Sequence, residues 1–349
     1  MTNDQRPTTN DQRPTPLLSV IITSYNELKY LPKAIESVLS QSFQDIEIII
    51  GDDGSNDGSI ELIERYCNEY PGKIKYFVME RNVDEKNFIP VMRHSQVFKT
   101  AFKKARGKYF LCLDGDDYFC DDEKFYDAVS FLESHKNYVG YMSGYKWAYP
   151  DGRKICYYSD NYPRSVFWSG MYIPVSSCVF SRRVYDDGYI LNQLCSDTAI
   201  TFAILSAGKV YFTDKITYAY RQREESMSHT SNELELKVLE LMLFQECLCS
   251  GRMKWSSCSR YYFFLNFVYV NRRELHKSLY SKYLNICEKY DNNVLGAILN
   301  YDTDIKSRCF IFWLRLKCRI AKSFFIRAER FYRFQLRIIR KCKRILFRN

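Results

Sequence analysis

The sequence lacks any long apolar run. Its most apolar stretch extends from Tyr261 to Val270 and is interrupted by Asn266. Because a membrane-spanning helix needs roughly 20 consecutive apolar residues, we expect no such helix. Hydrophobic residues nevertheless make up 46% of the 349 residues. That fraction is ample for a packed core that needs neither disulfides nor a structural metal.

Residues typical of a zinc site are scarce or badly spaced. The four histidines lie far apart, and the thirteen cysteines are scattered along the chain. Cys247 and Cys249 form the closest pair, and their spacing matches no zinc motif. The first residues, Met1 to Pro16, are polar and do not read as a secretory signal. We therefore expect buried, inert thiols in the reducing cytoplasm.

Positive charge is concentrated in the last 45 positions of the sequence. Residues 305–349 contain fifteen Lys or Arg and a single acid, Glu329, so this segment carries +14. Subtracting it from the net charge of +10 leaves the preceding residues at −4. Such an asymmetry predicts an anionic partner for this tail, either a membrane surface or nucleic acid.

The tail also has the apolar spacing of an amphipathic helix. A basic amphipathic helix with aromatic residues suits an anionic membrane. We favour it over nucleic-acid binding because nothing else in the sequence resembles a recognition module. A helix packed on the rest of the protein, with a solvated basic face, stays open. The apolar positions are Trp313, Leu316, Ile320, Phe324, Phe331, Phe334, Ile338 and Ile345.

Before the tail, the pattern indicates a leader followed by an α/β domain. TNDQRPT occupies residues 2–8 and again 9–15, so residues 1–16 are interpreted as a disordered leader. From Leu17, buried strands alternate with helices, which predicts a mostly parallel sheet with crossover helices. The predicted strands are 17–23, 46–50, 74–79 and 109–113, and the predicted helices are 28–39, 59–70, 88–105 and 197–207.

Two acidic clusters follow predicted strands. DGDD occupies residues 114–117 and DDGSNDG occupies residues 52–58. In open α/β sheets, ligands bind outside the carboxyl ends of the strands. Three carboxylates in four residues repel one another, and Mg²⁺ or Mn²⁺, which binds one or two carboxylates together with substrate phosphates, would relieve that repulsion. From the residues alone, a solvated turn or helix cap remains an alternative for 114–117, and a tight turn remains one for 52–58.

Together these segments resemble the opening of family 2 glycosyltransferases of the GT-A fold. The resemblance covers about Pro16 to Ser228. It implies an α/β, Rossmann-like, mostly parallel sheet flanked by helices, with a C-terminal helical extension. We expect a GT-A domain at 17–230, the helical extension at 231–304 and the basic tail at 305–349. The segments that carry the resemblance are PLLSVIITSYNELKYLPKAIESVL at 16–39, QSFQDIEIIIGDDGSNDGS at 41–59 and GKYFLCLDGDD at 107–117.

The resemblance also implies roles for single residues. Asp116, supported by Asp114, matches the ligand of a Mn²⁺ or Mg²⁺ ion. Asp197 matches the catalytic base, with Ser196 in place of the family's usual glutamate; taken alone, Asp197 also fits a helix N-cap. Arg223 stands where the family commonly has histidine, and an arginine can still neutralise phosphate. The residues matched to donor binding are Thr23, Tyr25, Asn26, Asp53, Arg221 and Arg223.

These roles predict an inverting glycosyltransferase. It would move a sugar from a nucleotide-sugar, with a UDP-sugar favoured, to a hydroxyl of a glycan or lipid-linked acceptor in cell-surface polysaccharide synthesis. We expect it in the cytoplasm, at the inner face of the membrane, with no nucleic acid as partner. Two alternatives remain: a catalytically inactive nucleotide-sugar-binding module of the same fold, and a basic membrane-associated scaffold protein. A processive polymerase is disfavoured because transmembrane helices and a Gln-x-x-Arg-Trp motif are absent from the sequence.

Overall fold

A computed structural model of the chain describes residues 15–81, 90–157, 174–188 and 197–223, with a few helical residues between 237 and 313. The predicted leader, nearly all of the predicted helical extension and nearly all of the basic tail lie outside the described residues. In the described ranges, no helix is long and apolar enough to cross a membrane.

The described strands form one mixed sheet. Its order is β3-β2-β1-β4-β8-β6-β9-β5, and β7 pairs with β6. The strands are β1 (Leu18–Ser24), β2 (Ile46–Asp52), β3 (Ile74–Val78), β4 (Tyr109–Asp114), β5 (Tyr118–Phe119), β6 (Tyr138–Ala148), β7 (Lys154–Tyr157), β8 (Cys178–Ser181) and β9 (Lys209–Arg221). The helices are α1 (Leu31–Leu39), α2 (Ser59–Glu69), α3 (Pro90–Lys104), α4 (Lys124–Ser134), α5 (Arg183–Asp186) and α6 (Asp197–Ala207), with a 3-10 turn at Val175–Ser177.

Most strands of the sheet run in one direction. β1 is parallel to β2 and β4, and β2 is parallel to β3. β8 is antiparallel to both β4 and β6, so β6 points the same way as β4, and β9 is parallel to β6. The carboxyl ends of β1, β2, β4 and β9 therefore lie at the same edge of the sheet. The sequence-based prediction of a mostly parallel α/β sheet is confirmed, with antiparallel strands in its second half.

The first half of the sheet follows from its sequence pattern. Every residue of β1 and β2 is buried, as expected for β-branched runs covered on both faces. Helix α1 buries Leu31, Ile35 and Val38, which are on the predicted apolar face. It begins three residues later than predicted because the backbone N–H groups of Tyr30 and Leu31 both donate to the carbonyl of Glu27, forming a turn.

Strand β2 is two residues longer than predicted and ends at Asp52. Its penultimate residue is Gly51, where an added Cβ would lie 2.5 Å from Val97 Cγ1 and 2.7 Å from Phe77 Cζ. Only glycine lets α3 and β3 approach the strand this closely. The longer strand makes Asp53 the first residue beyond it.

The middle of the chain contains both confirmed and unpredicted elements. The predicted turn at Tyr149–Gly152 joins β6 to β7; Gly152 has φ of 83° and its N–H donates to Tyr149 O at 3.0 Å. Helix α6 has the predicted bounds, Asp197–Ala207, and is followed by Gly208. The sequence did not predict that β8 lies between β4 and β6, because that pairing joins distant segments.

Candidate active site

The residues that follow β2 and β4 are docked on the end of β1. The N–H of Asp53 donates to Ser24 O at 2.9 Å, and the N–H of Gly115 donates to Thr23 O at 2.8 Å. The two acidic clusters therefore lie on either side of one strand end. Gly115 has no room for a side chain, because an added Cβ would lie 2.9 Å from the backbone oxygen of Thr23 and 2.3 Å from Glu27 Oε2.

Asp114, His94 and Asp197 come together at this edge. Asp114 Oδ1 accepts a hydrogen bond of 2.8 Å from the Thr23 hydroxyl and lies 3.8 Å from His94 Nε2. One potential ligand atom from each of the three side chains falls within 4.8 Å of the other two. The predicted supporting metal ligand and the predicted base are thus near enough to act on one bound molecule.

Asp116 contacts the arginine from the end of β9. Arg223 Nε lies 2.7 Å from Asp116 Oδ2, and Arg223 Nη2 donates to Glu27 Oε1 at 2.9 Å. The guanidinium carbon lies 5.2 Å from the ring centre of Tyr30. This contact joins the segment after β9 to the acidic cluster at residues 114–117.

Asp117 links the 114–117 cluster to β9 through two hydrogen bonds. One of its carboxylate oxygens accepts the Tyr218 hydroxyl, and the other accepts the N–H of Arg221 at 2.7 Å. The Nε of Arg221 donates to the backbone carbonyl of Asp116 at 2.7 Å, and its guanidinium lies over the Tyr30 ring at 4.7 Å. Asp117 and Arg221 therefore fix the backbone position of Asp116.

The charge balance of this cluster fits a cation. Burial, followed by the charge of Asp116, raises the pKa of Glu27 well above its usual range. The same two causes raise the pKa of Asp117 well above its usual range. Burial and then Asp114 raise the pKa of Asp116. Glu27 Oε2 is buried without a hydrogen-bond partner among the described residues. Such crowded, desolvated carboxylates suit a bound divalent ion.

Asp53 lies between two arginines. Arg93 Nε donates to Asp53 Oδ1 at 2.6 Å, and Arg81 Nη2 donates to Asp53 Oδ2 at 2.8 Å. Arg81 also stacks on the exposed ring of Tyr25, with its guanidinium carbon 3.6 Å from the ring centre. This half of the edge presents a planar aromatic and guanidinium surface beside a carboxylate.

Other residues of the acidic cluster at 52–58 form a tight turn, which was the alternative interpretation of this segment. Asp52 accepts hydrogen bonds from the N–H and hydroxyl of Ser55, and Asp57 accepts those of Ser59. Asn26 has a left-handed φ of 54°, and its side-chain oxygen accepts the N–H of Asn56 at 3.0 Å. Asn26 thus has a local role in holding the turn, in addition to its predicted role in donor binding.

Sequence reasoning missed Glu27, Arg81, Arg93 and His94. The signal for Arg93 was present, because it is four residues before Val97 on the buried face of α3. An arginine at such a position requires a partner, but the pattern does not identify that partner as Asp53. No signal was found that would have singled out His94, because its neighbourhood depends on how α3 packs against β4 and α6.

Comparisons with known proteins point to one enzyme family. Residues 19–188 match the family model described as glycosyl transferase family 2. An uncharacterized protein of Mycobacterium tuberculosis is 23% identical over 220 residues, which is 61% of this chain and 61% of that protein. Glycosyltransferase GlyG of Streptococcus pneumoniae is 25% identical over 235 residues, or 62% of this chain and 75% of GlyG. The chain therefore spans less than two thirds of its mycobacterial relative.

A solved structure shares the fold. TarS 1-349 from S. aureus, in complex with UDP-GlcNAc, superposes with a TM-score of 0.57 at 18% identity, covering 90% of this chain and 91% of that one. The sheet and its flanking helices are of the GT-A type, as predicted. The match over residues 19–188, together with the shared fold, assigns this part of the chain to glycosyl transferase family 2.

Proposed function

We propose that this chain transfers a sugar from a nucleotide-sugar donor to an acceptor hydroxyl. The observation that carries the proposal is the grouping of Asp114 with Asp197 and His94, within 4.8 Å, at the edge where Asp53 follows the neighbouring strand. Family membership supports the same activity. A 17–230 catalytic domain, a helical extension and a basic tail remain our proposed organisation.

The nucleotide is proposed to bind on the Asp53 side of the edge. The Tyr25 ring and the Arg81 guanidinium offer a surface on which a base can stack. Asp53 and Arg93 offer an acceptor and a donor for the polar edge of that base. We favour a UDP-sugar, and the UDP-GlcNAc complex of TarS supports this choice.

The metal is proposed to bind at Asp116 and Asp114, as Mn²⁺ or Mg²⁺. When bound, it would stabilise the negative charge that develops on the leaving nucleoside diphosphate. Arg221 and Arg223 lie beside these carboxylates and add positive charge for the same phosphates. Asp117 holds these carboxylates in position relative to β9 through its hydrogen bonds to Tyr218 and Arg221.

The base is proposed to be Asp197, in the first turn of α6. Its carboxylate accepts the proton of the acceptor hydroxyl as that oxygen attacks the sugar. A single carboxylate base with attack opposite the leaving group predicts inversion at the anomeric carbon. His94 has a ring nitrogen within 4.8 Å of both this base and Asp114 and is expected to restrict their positions.

The proposal is tested with Asp197→Asn. Because the substitution removes the base and keeps the side-chain size, donor affinity in Mn²⁺ should stay within about threefold of wild type. Nucleoside diphosphate release from UDP- or GDP-sugars should fall by about 10²-fold or more. Asp186→Asn, at an exposed position of α5, is the matched control and should keep both values.

Wild-type turnover by Asp197→Asn would remove Asp197 from the mechanism. Donor binding without any turnover by the wild-type chain would instead favour the inactive-module alternative.

We further propose that the acceptor is a glycan or lipid-linked molecule of cell-surface polysaccharide synthesis. The tail is proposed to attach the protein to the anionic inner face of the membrane, with no role for nucleic acid. The support for attachment is the charge of +14 over residues 305–349 and its amphipathic spacing.

A further inference from the structure

In the proposed active site, a guanidinium occupies one side of the carboxylate assigned to the metal. Arg223 Nε lies 2.7 Å from Asp116 Oδ2 while its Nη2 bonds to Glu27. The side chains of Arg223, Asp116 and Glu27 are 18%, 14% and 10% exposed. Tyr30 covers the guanidinium at 5.2 Å. The arginine therefore provides a partly desolvated positive charge at this point.

The contact is close but not bidentate. Arg223 Nε is buried against Asp116 Oδ2, whereas Nη2 of the same guanidinium bonds to Glu27 Oε1. The strongest arginine–carboxylate pairs are bidentate, with two parallel N–H bonds to one carboxylate. Here the guanidinium divides its contacts between Asp116 and Glu27. Asp116 therefore lacks the bidentate contact that would hold the arginine most strongly, so a better cation can replace it.

A divalent ion bound at Asp116 Oδ2 and the guanidinium would compete for that oxygen atom. Two cations at one carboxylate repel each other strongly in a partly buried site. Carboxylate ligands bind Mg²⁺ or Mn²⁺ directly, so an ion on Asp116 Oδ2 would need the space next to that oxygen, where Arg223 Nε now lies. Asp114 instead contacts Thr23 and His94.

We propose that Arg223 takes the place of the divalent cation at Asp116 in the ligand-free protein, and that cation binding moves its guanidinium to the donor's diphosphate. The inference rests on the proposed function. Glu27 holds the other end of the guanidinium, and the pinned backbone of Arg221 keeps β9 in place, so the arginine has only a side-chain movement to make. Metal and donor then bind cooperatively, because the diphosphate compensates for the lost Asp116 contact.

The test is Mn²⁺ affinity of the full chain without nucleotide, measured from the electron paramagnetic resonance signal of free Mn²⁺. Arg223→Gln removes the competing charge and should bind Mn²⁺ about tenfold more tightly than wild type, a usual size for such coupling. Arg223→Met keeps an apolar contact with Tyr30 and should show the same gain if the Gln variant does not fold. Thermal melting checks the fold of each variant.

Two further variants separate the possible outcomes. Asp116→Asn should lose most Mn²⁺ affinity. Arg183→Gln removes the same charge from an exposed position next to β8, at the edge opposite the cluster, and should leave the affinity unchanged. One outcome is that Asp116→Asn weakens Mn²⁺ binding while neither Arg223 variant tightens it. That result would refute competition between Arg223 and the cation, and the proposed function would stand. If the wild type binds no Mn²⁺, or Asp116→Asn binds as wild type does, the proposed metal site itself is wrong.

Discussion

At the scale of single residues, Asp52 and Asp53 differ only in what surrounds them. In the sequence they are adjacent acids in a turn-forming segment, and only the family resemblance selects Asp53. In the structure Asp52 is used by the turn through Ser55, whereas Asp53 is held by two arginines. Those arginines come from positions 81 and 93, and no local pattern specifies such distant contacts.

Lys124 is a buried cation outside the candidate site. It is 1% exposed, and its ammonium donates to Ser143 Oγ, Ser177 O and Thr217 Oγ1 at 3.0, 3.1 and 2.9 Å. None of these partners is charged, and burial lowers the pKa of Lys124 to about 8. The residue joins the start of α4 to β6, β9 and the 3-10 turn.

The lowered pKa of Lys124 predicts a pH dependence of stability. Below pH 8 the folded protein retains the buried charge and its desolvation cost. Between pH 8 and 10.5 the folded lysine is neutral while the unfolded one is still protonated, so the free energy of unfolding rises with pH. From pH 7.5 to 9.5 the wild type should gain about 2 kcal/mol relative to Lys124→Met.

Urea unfolding of the two proteins at both pH values measures this difference. Titration of other groups, including the many tyrosines, cancels in the comparison. A wild-type-minus-variant difference that stays constant between pH 7.5 and 9.5 would show that Lys124 does not titrate there.

At the scale of elements, the sequence predicts best where burial is uniform and contacts are local. The bounds of β1 and β4 are predicted to within one residue at each end, and those of α6 agree with the structure. The region from β6 to β9 is predicted less well, because its strands are short or irregular and pair with distant segments. The pairing of β6 with β9 contains register shifts that no periodicity reveals.

This pairing matters for the candidate site. Strand β9 delivers Arg221 and Arg223 to the edge that holds Asp116, and it does so because it is parallel to β6. Sequence alone placed these arginines near the diphosphate only through resemblance to the family. Their contacts with Glu27 and Asp117 could not be predicted from spacing.

The basic tail is an element whose role stays a prediction. If it attaches the protein to membranes, deleting the residues after Lys306 should abolish sedimentation with vesicles that contain anionic phosphatidylserine. The intact chain should sediment with these vesicles at low salt and much less at high salt, because the attraction is electrostatic. Vesicles of neutral phosphatidylcholine are the control. Equal sedimentation of intact and truncated chains would refute attachment through the tail.

At the scale of the whole molecule, the candidate site extends past the segment matched to the family. That match ends at residue 188, whereas Asp197, Arg221 and Arg223 lie beyond it. The family model therefore covers the two acidic clusters, whereas Asp197 and the two arginines were assigned only by the longer resemblance. The sheet brings both sets of residues together by placing the start of α6 and the end of β9 at the same edge. The site is a property of the completed sheet rather than of one motif.

The central claim is that this edge binds a metal and a nucleotide-sugar together. Its most direct test is calorimetric titration of the full chain with a panel of UDP- and GDP-sugars, with Mn²⁺ and with EDTA. We predict that at least one sugar nucleotide binds in Mn²⁺. We also predict that its affinity falls by about tenfold or more in EDTA and in Asp116→Asn, while Asp186→Asn binds as wild type does. Failure of every nucleotide-sugar to bind, or equal binding without the metal and in Asp116→Asn, would contradict the account.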